Sequence, residues 1–154
     1  MKISARVDYG LQAILEIVAN SEKSKLVTAE EIATRHEIPL KFLEGILATL
    51  KRAEIIGSKR GPDGGYEMSS DPKKISVADI FRIIDGPLAA VKGKAPESAR
   101  YKGANKNLTE VWIVTRVGLR EILENISIYD VYTGKYSPRI KKLLDEKDAW
   151  ARRK

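Results

Sequence analysis

Lys41, Glu44, Gly45 and Ala48 recur at the three- and four-residue spacing that gathers side chains on one face of a helix. Such a row combines a cation, a carboxylate and two residues with almost no side chain, so a backbone can come close to a surface while the charges read it. Glu44 can accept a hydrogen bond from a cytosine amino group, and Lys41 can donate to guanine or to phosphate. A mid-helix glycine costs ~0.5–1 kcal/mol relative to alanine, so Gly45 needs a reason, such as close approach to a groove floor or to another backbone. Taken singly, these charges are ordinary solvated surface and Gly45 packs against a neighbour. Downstream, Lys59 and Arg60 stand at the root of a glycine-rich run, Gly61 to Gly65. A tip without bulky side chains can flank a minor groove, and Arg60 could enter that groove where narrow A-tracts concentrate negative potential. Asp63 at the tip counts against tight phosphate contact, and the plain alternative is a solvent-exposed hairpin.

The elements that must position these residues are legible on either side. Ser4 caps a first helix to about Ala19, with Val7, Leu11, Ile14, Leu15 and Val18 on one face. Tyr9 lies away from Leu11 and Leu15, free either to touch a phosphate or to pack on a neighbour. Thr28 and Glu31 form a capping box that opens a second helix to about Arg35. Pro39 suits a first helical position, and the third helix reaches about Ala53 with Leu43, Ile46, Leu47 and Leu50 facing inward. Strands at Ile55–Ser58 and Tyr66–Ser69 then pair around GPDGG. Ser76 with Asp79 opens a short helix that Gly86-Pro87 ends. The fold class expected is mainly α with a small β-hairpin wing: a winged helix-turn-helix plus a long dimerisation helix. In that frame the exposed row on the third helix becomes a DNA-reading surface.

The remainder concerns pairing and control. Leu108, Trp112, Thr115, Leu119, Ile122 and Ile126 step by four and three, the spacing of a helix-packing seam. The expected division is 1–86 for the winged unit (helix-turn-helix 28–51, wing 55–69), 87–107 for a loop, 108–130 for a long dimerisation helix of roughly 30 Å, and 131–154 for a charged C-terminal tail. In the loop, Lys92, Lys94, Arg100, Tyr101 and Lys102 offer either a site for a small anionic effector or a solvated basic linker.

Composition sets bounds. The chain has 154 residues and a net charge of +7, yet residues 1–70 hold ten basic and ten acidic side chains, so the excess lies in residues 71–154. Charge therefore supports DNA binding only locally, through Lys41, Lys59, Arg60, Lys2 and Arg6. With no cysteine there is no disulfide and no thiolate metal site, and the single histidine, His36, suits a surface or capping role. No apolar run approaches the ~18 residues of a membrane span, so a cytoplasmic protein without membrane partners is expected. No nucleophile, phosphate loop or metal-ligand spacing suggests an enzyme.

MKISARVDYGLQAILEIVA, PLKFLEGIL, KRGPDGGYEM, SVADIFRIIDGPL and NLTEVWIVTRVGLREILENISIYDV together resemble the Rrf-two family of bacterial transcription regulators, over nearly all but the tail. The resemblance implies a homodimer with crossed long helices, each recognition helix in the major groove of a palindromic site. It makes Glu44 a base contact, Arg60 a minor-groove residue and Tyr9 a backbone contact; Thr28, Gly45, Ala48, Lys59 and Gly64 complete the expected interface. Cluster-binding members carry three cysteines in the loop before the long helix, and this chain has none, so no thiolate-ligated iron–sulfur cofactor is expected. The function expected is a sequence-specific regulator, a repressor, acting on double-stranded DNA. The other reading, favoured by the neutral charge of residues 1–70, is a winged helix that docks a protein partner such as a metabolic enzyme or the transcription machinery.

Overall fold

The computed structural model describes residues 2–151. Seven helices and one hairpin follow in order: α1 (Ala5–Ser21), α2 (Ala29–His36), α3 (Leu40–Arg52), β1 (Ile56–Lys59), β2 (Gly65–Met68), α4 (Val77–Ile84), α5 (Leu108–Leu123), α6 (Ile128–Thr133) and α7 (Pro138–Leu144). Ser4 caps α1 by accepting from the Val7 amide at 3.1 Å. Thr28 and Ser76 cap α2 and α4 in reciprocal capping boxes with Glu31 and Asp79. Pro39 occupies the cap position of α3, just outside the first turn.

The core gathers around α1, which packs against α2, α3, α4, α6 and β2. Ile14, Ile17, Ile32, Leu43, Leu47, Leu50 and Ile80 are fully buried in it, each contributing ~1.5–3 kcal/mol of apolar burial. At Gly10 the α4 side chain Ile84 crosses so closely that an added Cβ would lie 2.3 Å from its Cδ1. A carboxylate ties the first two helices: Glu16 accepts from Arg35, lies 3.0 Å from His36 Nε2 and takes the Asn20 amide at 3.0 Å. Burial works to raise the Glu16 pKa, but the His36 hydrogen bond, the Arg35 charge and the Asn20 amide prevail and hold it below the ordinary carboxylate value. His36 thus joins α1 to α2 rather than standing free at the surface.

The hairpin pairs antiparallel with Ile56 opposite Met68 and Lys59 opposite Gly65. Its root is clamped to the body, because Tyr66 exchanges both backbone hydrogen bonds with Val27 (2.8 and 3.2 Å). Met68 also donates its amide to Ser21 Oγ at 3.2 Å.

Two expectations about the C-terminal part are corrected. The long helix ends at Leu123 rather than at 130, because a third capping box, Ser127 with Asp130, starts α6 and returns the chain to the core, where Ile128 is fully buried. Ser76 and Ser127 bridge antiparallel, so α4 and α6 begin side by side. Ile126 therefore lies outside the helical seam; its carbonyl accepts from Val77 at 2.9 Å and its side chain packs on the core. The segment expected as a tail from 131 contains the end of α6 and all of α7, whose Ile140 is buried. Residues 152–154 of that expected tail lie outside the described residues.

Candidate nucleic-acid interface

Helix α3 turns Leu43, Ile46, Leu47 and Leu50 into the core and leaves Lys41, Glu44, Gly45 and Ala48 exposed. The row expected from spacing is thus a continuous surface. At Gly45 an added Cβ would meet nothing within 4 Å. Packing against a neighbour within this chain is therefore not the reason for the glycine, which corrects that reading. Thr49 Oγ1 donates to the Gly45 carbonyl at 3.0 Å and accepts from Arg52, which holds the far end of the row.

The hairpin stands beside this helix. Lys51 Nζ, at the end of α3, lies 2.5 Å from Ser58 Oγ on β1. Between them runs a polar cleft whose walls include Thr28, Glu44, Lys59, Arg60, Gly64 and Tyr66. Six residues from three separate elements thus share one concavity. The tip is a turn in which the Gly64 amide donates to the Gly61 carbonyl at 3.0 Å, with Pro62 and Asp63 between them. Gly64 is required by the hairpin itself, since a Cβ there would lie 2.4 Å from the Lys59 carbonyl oxygen.

The charges differ in how free they are. Arg60 and Lys41 are exposed and form no ion pair among the described residues, whereas Lys59 is held by Glu67 at 3.1 Å. Thr28 borders the cleft, but its hydroxyl serves the cap, accepting from the Glu31 amide at 3.2 Å and donating to the Glu31 carboxylate at 3.0 Å. The Thr28 amide and hydroxyl, together with Arg35, keep the Glu31 carboxyl below its usual range against a slight burial effect.

Tyr9 packs its ring edge-on to Phe42 of α3, centroids 5.8 Å apart, and its hydroxyl makes no hydrogen bond among the described residues. Tyr66, which the sequence reading passed over, is half-buried in the cleft; burial first, then the charges of Glu44 and Glu30, push its phenol pKa up, so it remains a neutral donor. Its signal was the aromatic residue directly after the double glycine.

The pairing element α5 buries no residue within the chain, and Val111, Val114, Val117 and Ile122 stand exposed on it, Val114 at 70%. Leu108, Thr115, Leu119 and Ile122 of the expected seam border this face, but Trp112 turns inward, its indole donating to the Tyr101 hydroxyl at 3.1 Å. The loop 87–107 folds against α5 through two 3-10 turns, Pro96–Ser98 and Gly103–Asn105. Arg100 spends a guanidinium donor on the Glu97 carbonyl at 2.7 Å, and Lys102 is exposed. Arg100 and Tyr101 thus each have a partner within the chain.

A capped helix-turn-helix, an exposed small-residue row and an arginine-bearing wing define a winged helix-turn-helix DNA-binding protein. The family model Rrf2, described as an iron-dependent transcriptional regulator, matches residues 3–134. This chain belongs to the Rrf2 family and is a DNA-binding transcription regulator of it. It is 34% identical over 146 residues to a Mycobacterium tuberculosis protein assigned as an HTH-type transcriptional regulator, covering 95% of this chain and 90% of the other. It is 29% identical to the transcriptional regulator IscR of Sodalis glossinidius, covering 99% and 90%. Among solved structures it resembles CymR, the global cysteine regulator of B. subtilis, with a TM-score of 0.72, 28% identity and coverage of 88% and 98%.

The family description names iron, so the fit of a cluster can be judged from the donors present. The loop in which cluster-binding members carry cysteines supplies here an arginine spent on a carbonyl and a tyrosine taken by an indole. Among the described residues no three His, Cys, Asp or Glu side chains converge on a metal position. A thiolate-held cluster does not fit this chain. No helix among the described residues is long and apolar enough to cross a membrane.

Proposed function

We propose that this chain is a sequence-specific transcriptional repressor that acts as a homodimer on a palindromic operator and is governed by something other than a thiolate-held cluster. The observation that carries the reading is the open space over Gly45. A glycine that lowers helix stability and is not needed by its own fold is explained by a surface that comes from outside. A major-groove floor suits it, with Glu44 reading a base edge beside it. The wing adds Arg60 for the minor groove, and the hydroxyls of Tyr9 and Tyr66, which make no hydrogen bond among the described residues, suit phosphate oxygens.

Pairing is supported by the exposed valines of α5 around Gly118, where an added Cβ would also meet nothing. A two-fold pair buries the same face from both copies and sets two recognition helices about 34 Å apart, one turn of DNA. Repression needs only occupancy of the operator.

Selection of bound sequences from random duplexes tests the reading. A pseudo-palindrome is expected, with half-sites one helical turn apart. On it, Glu44→Ala should lose ~10- to 100-fold discrimination at one base pair per half-site, and Arg60→Ala should weaken binding most where the flanks are rich in A·T. Both variants binding as the parent does would place the reading surface elsewhere, and a protein-docking module would enrich no sequence at all.

A further inference from the structure

A second cleft lies away from the DNA-facing surface, between the end of α4, the segment that follows it and α5. Its floor is apolar, made by Gly86, Pro87, Leu88, Ala89 and Ala95, and three arginines line it: Arg82 from α4, Arg116 and Arg120 from α5. Their pairing is unequal. Arg82 is met by Asp79 at 3.4 Å and by Glu124. Arg116 holds Glu97 through Nη1 at 2.7 Å, yet its buried Nε has no partner among the described residues. Arg120 makes no ion pair or side-chain hydrogen bond among them. Buried donors are normally satisfied, and a guanidinium beside an apolar wall calls for a counter-ion.

Glu97 is the anion that the chain itself offers. It comes from the 3-10 turn Pro96–Ser98, places a carboxylate on Arg116, and feels the charges of both Arg116 and Arg120. A guanidinium fork pairs with carboxylate and with phosphate alike, so Glu97 shows the charge that the site accepts and the floor must decide the rest. The apolar floor asks for more than charge: inorganic phosphate leaves it bare, and a neutral molecule leaves Arg120 without a counter-ion and Arg116 Nε without a partner among the described residues. At about 100° per residue, Arg116 and Arg120 point some 160° round α5 from Gly118. The cleft thus faces away from Val111 and Val114, while Val117 stands only about 60° round the helix from Arg120.

We propose that this cleft is a binding site for a small monocarboxylate with an apolar body, the carboxylate held between Arg116 and Arg120 and the body resting on Pro87, Leu88 and Ala89, with Glu97 as the chain's own competitor for Arg116. The ligand joins the last helix of the DNA-reading unit to the pairing helix. The binding itself stands without the DNA reading; only its use as an effector site rests on that reading.

Calorimetric titration of the full chain with acetate, hexanoate, benzoate and phenylpropanoate tests this, with hexanamide and inorganic phosphate as controls. Saturable binding of at least one of the larger acids, one per chain, is expected, with acetate and both controls at least about tenfold weaker. Arg120→Gln, at an exposed position, should keep the parent's melting temperature and lose about tenfold in affinity, whereas Glu97→Gln should gain severalfold. The site is overturned if none of the acids binds at millimolar concentration, if hexanamide binds as well as hexanoate, or if Arg120→Gln binds as the parent does. Ligand binding that leaves the affinity for a selected duplex unchanged would keep the site and overturn its role as an effector site.

Discussion

At Gly45 the free protein and the bound complex make opposite demands. Among the described residues nothing fills the space above its Cα, so Gly45→Ala should stabilise the free protein by ~0.5–1 kcal/mol, the ordinary helix gain from glycine to alanine. The same methyl should weaken binding to the selected operator. Thermal melts and duplex titrations on one preparation check both signs, and a variant that is more stable and binds unchanged would remove the groove-floor explanation. The neighbouring residues divide the labour differently from their spacing alone. Among the described residues Arg60 and Lys41 form no ion pair, while Lys59 is held by Glu67 and Thr28 is committed to its cap. Gly64 serves the turn, because a Cβ would strike backbone that cannot rotate away. Tyr9 packs its ring on Phe42, a contact that leaves its hydroxyl to the phosphate role proposed for it.

At the scale of elements, the helix-turn-helix is held by its caps and by the Glu16 tie between α1 and α2. Because the folded-state pKa of Glu16 is depressed, its contribution is complete above the unfolded value of 4.5 and is lost as the pH falls through the lower folded value. Glu16→Gln should therefore cost ~1–2 kcal/mol near neutral pH, where the charged hydrogen bonds are intact. The gap between variant and parent should narrow progressively as the pH falls below 4.5 through the lower folded value, where Glu16 takes up its proton. Urea unfolding across that acid range reads it, and a gap that stays constant would mean that the carboxylate charge adds nothing to the tie. The first four helices and the hairpin were legible because their signals are local: Ser4, Thr28 and Ser76 cap, and leucines repeat every three or four residues. The boundary at Leu123 was missed, although Ser127 and Asp130 repeat the Ser76 and Asp79 signature. The apolar period runs straight through the break, and only the burial of Ile128 against α1 decides that the chain turns back.

At the scale of the whole molecule, one unit reads and another pairs, and their coupling makes a palindrome legible. Val114 is 70% exposed, so Val114→Asp should change monomer stability by no more than ~0.5 kcal/mol. It would place a carboxylate from each copy in a two-fold apolar interface. Sedimentation equilibrium should show monomers at concentrations where the parent is dimeric, and affinity for the full operator should fall by at least about tenfold while a half-site is little affected. The slope of affinity against salt for the parent should be steep. An undiminished dimer would place the pairing surface away from the exposed valines.

The sequence by itself determined the kind of molecule: the order of helices, turn and wing, the exposed row on α3, and the absence of thiolate ligands. Each of these depends on residues a few positions apart, or on composition, and needs no distant partner. Tertiary structure alone decided which surfaces remain uncovered. That Gly45 faces open space while Gly10 lies under Ile84 follows from where other helices cross. That Arg82, Arg116 and Arg120 line one apolar-floored cleft follows from the packing of α4 and α5. An amphipathic period tells which face of a helix is polar, but what crosses a given point on it is set by atoms remote in the chain.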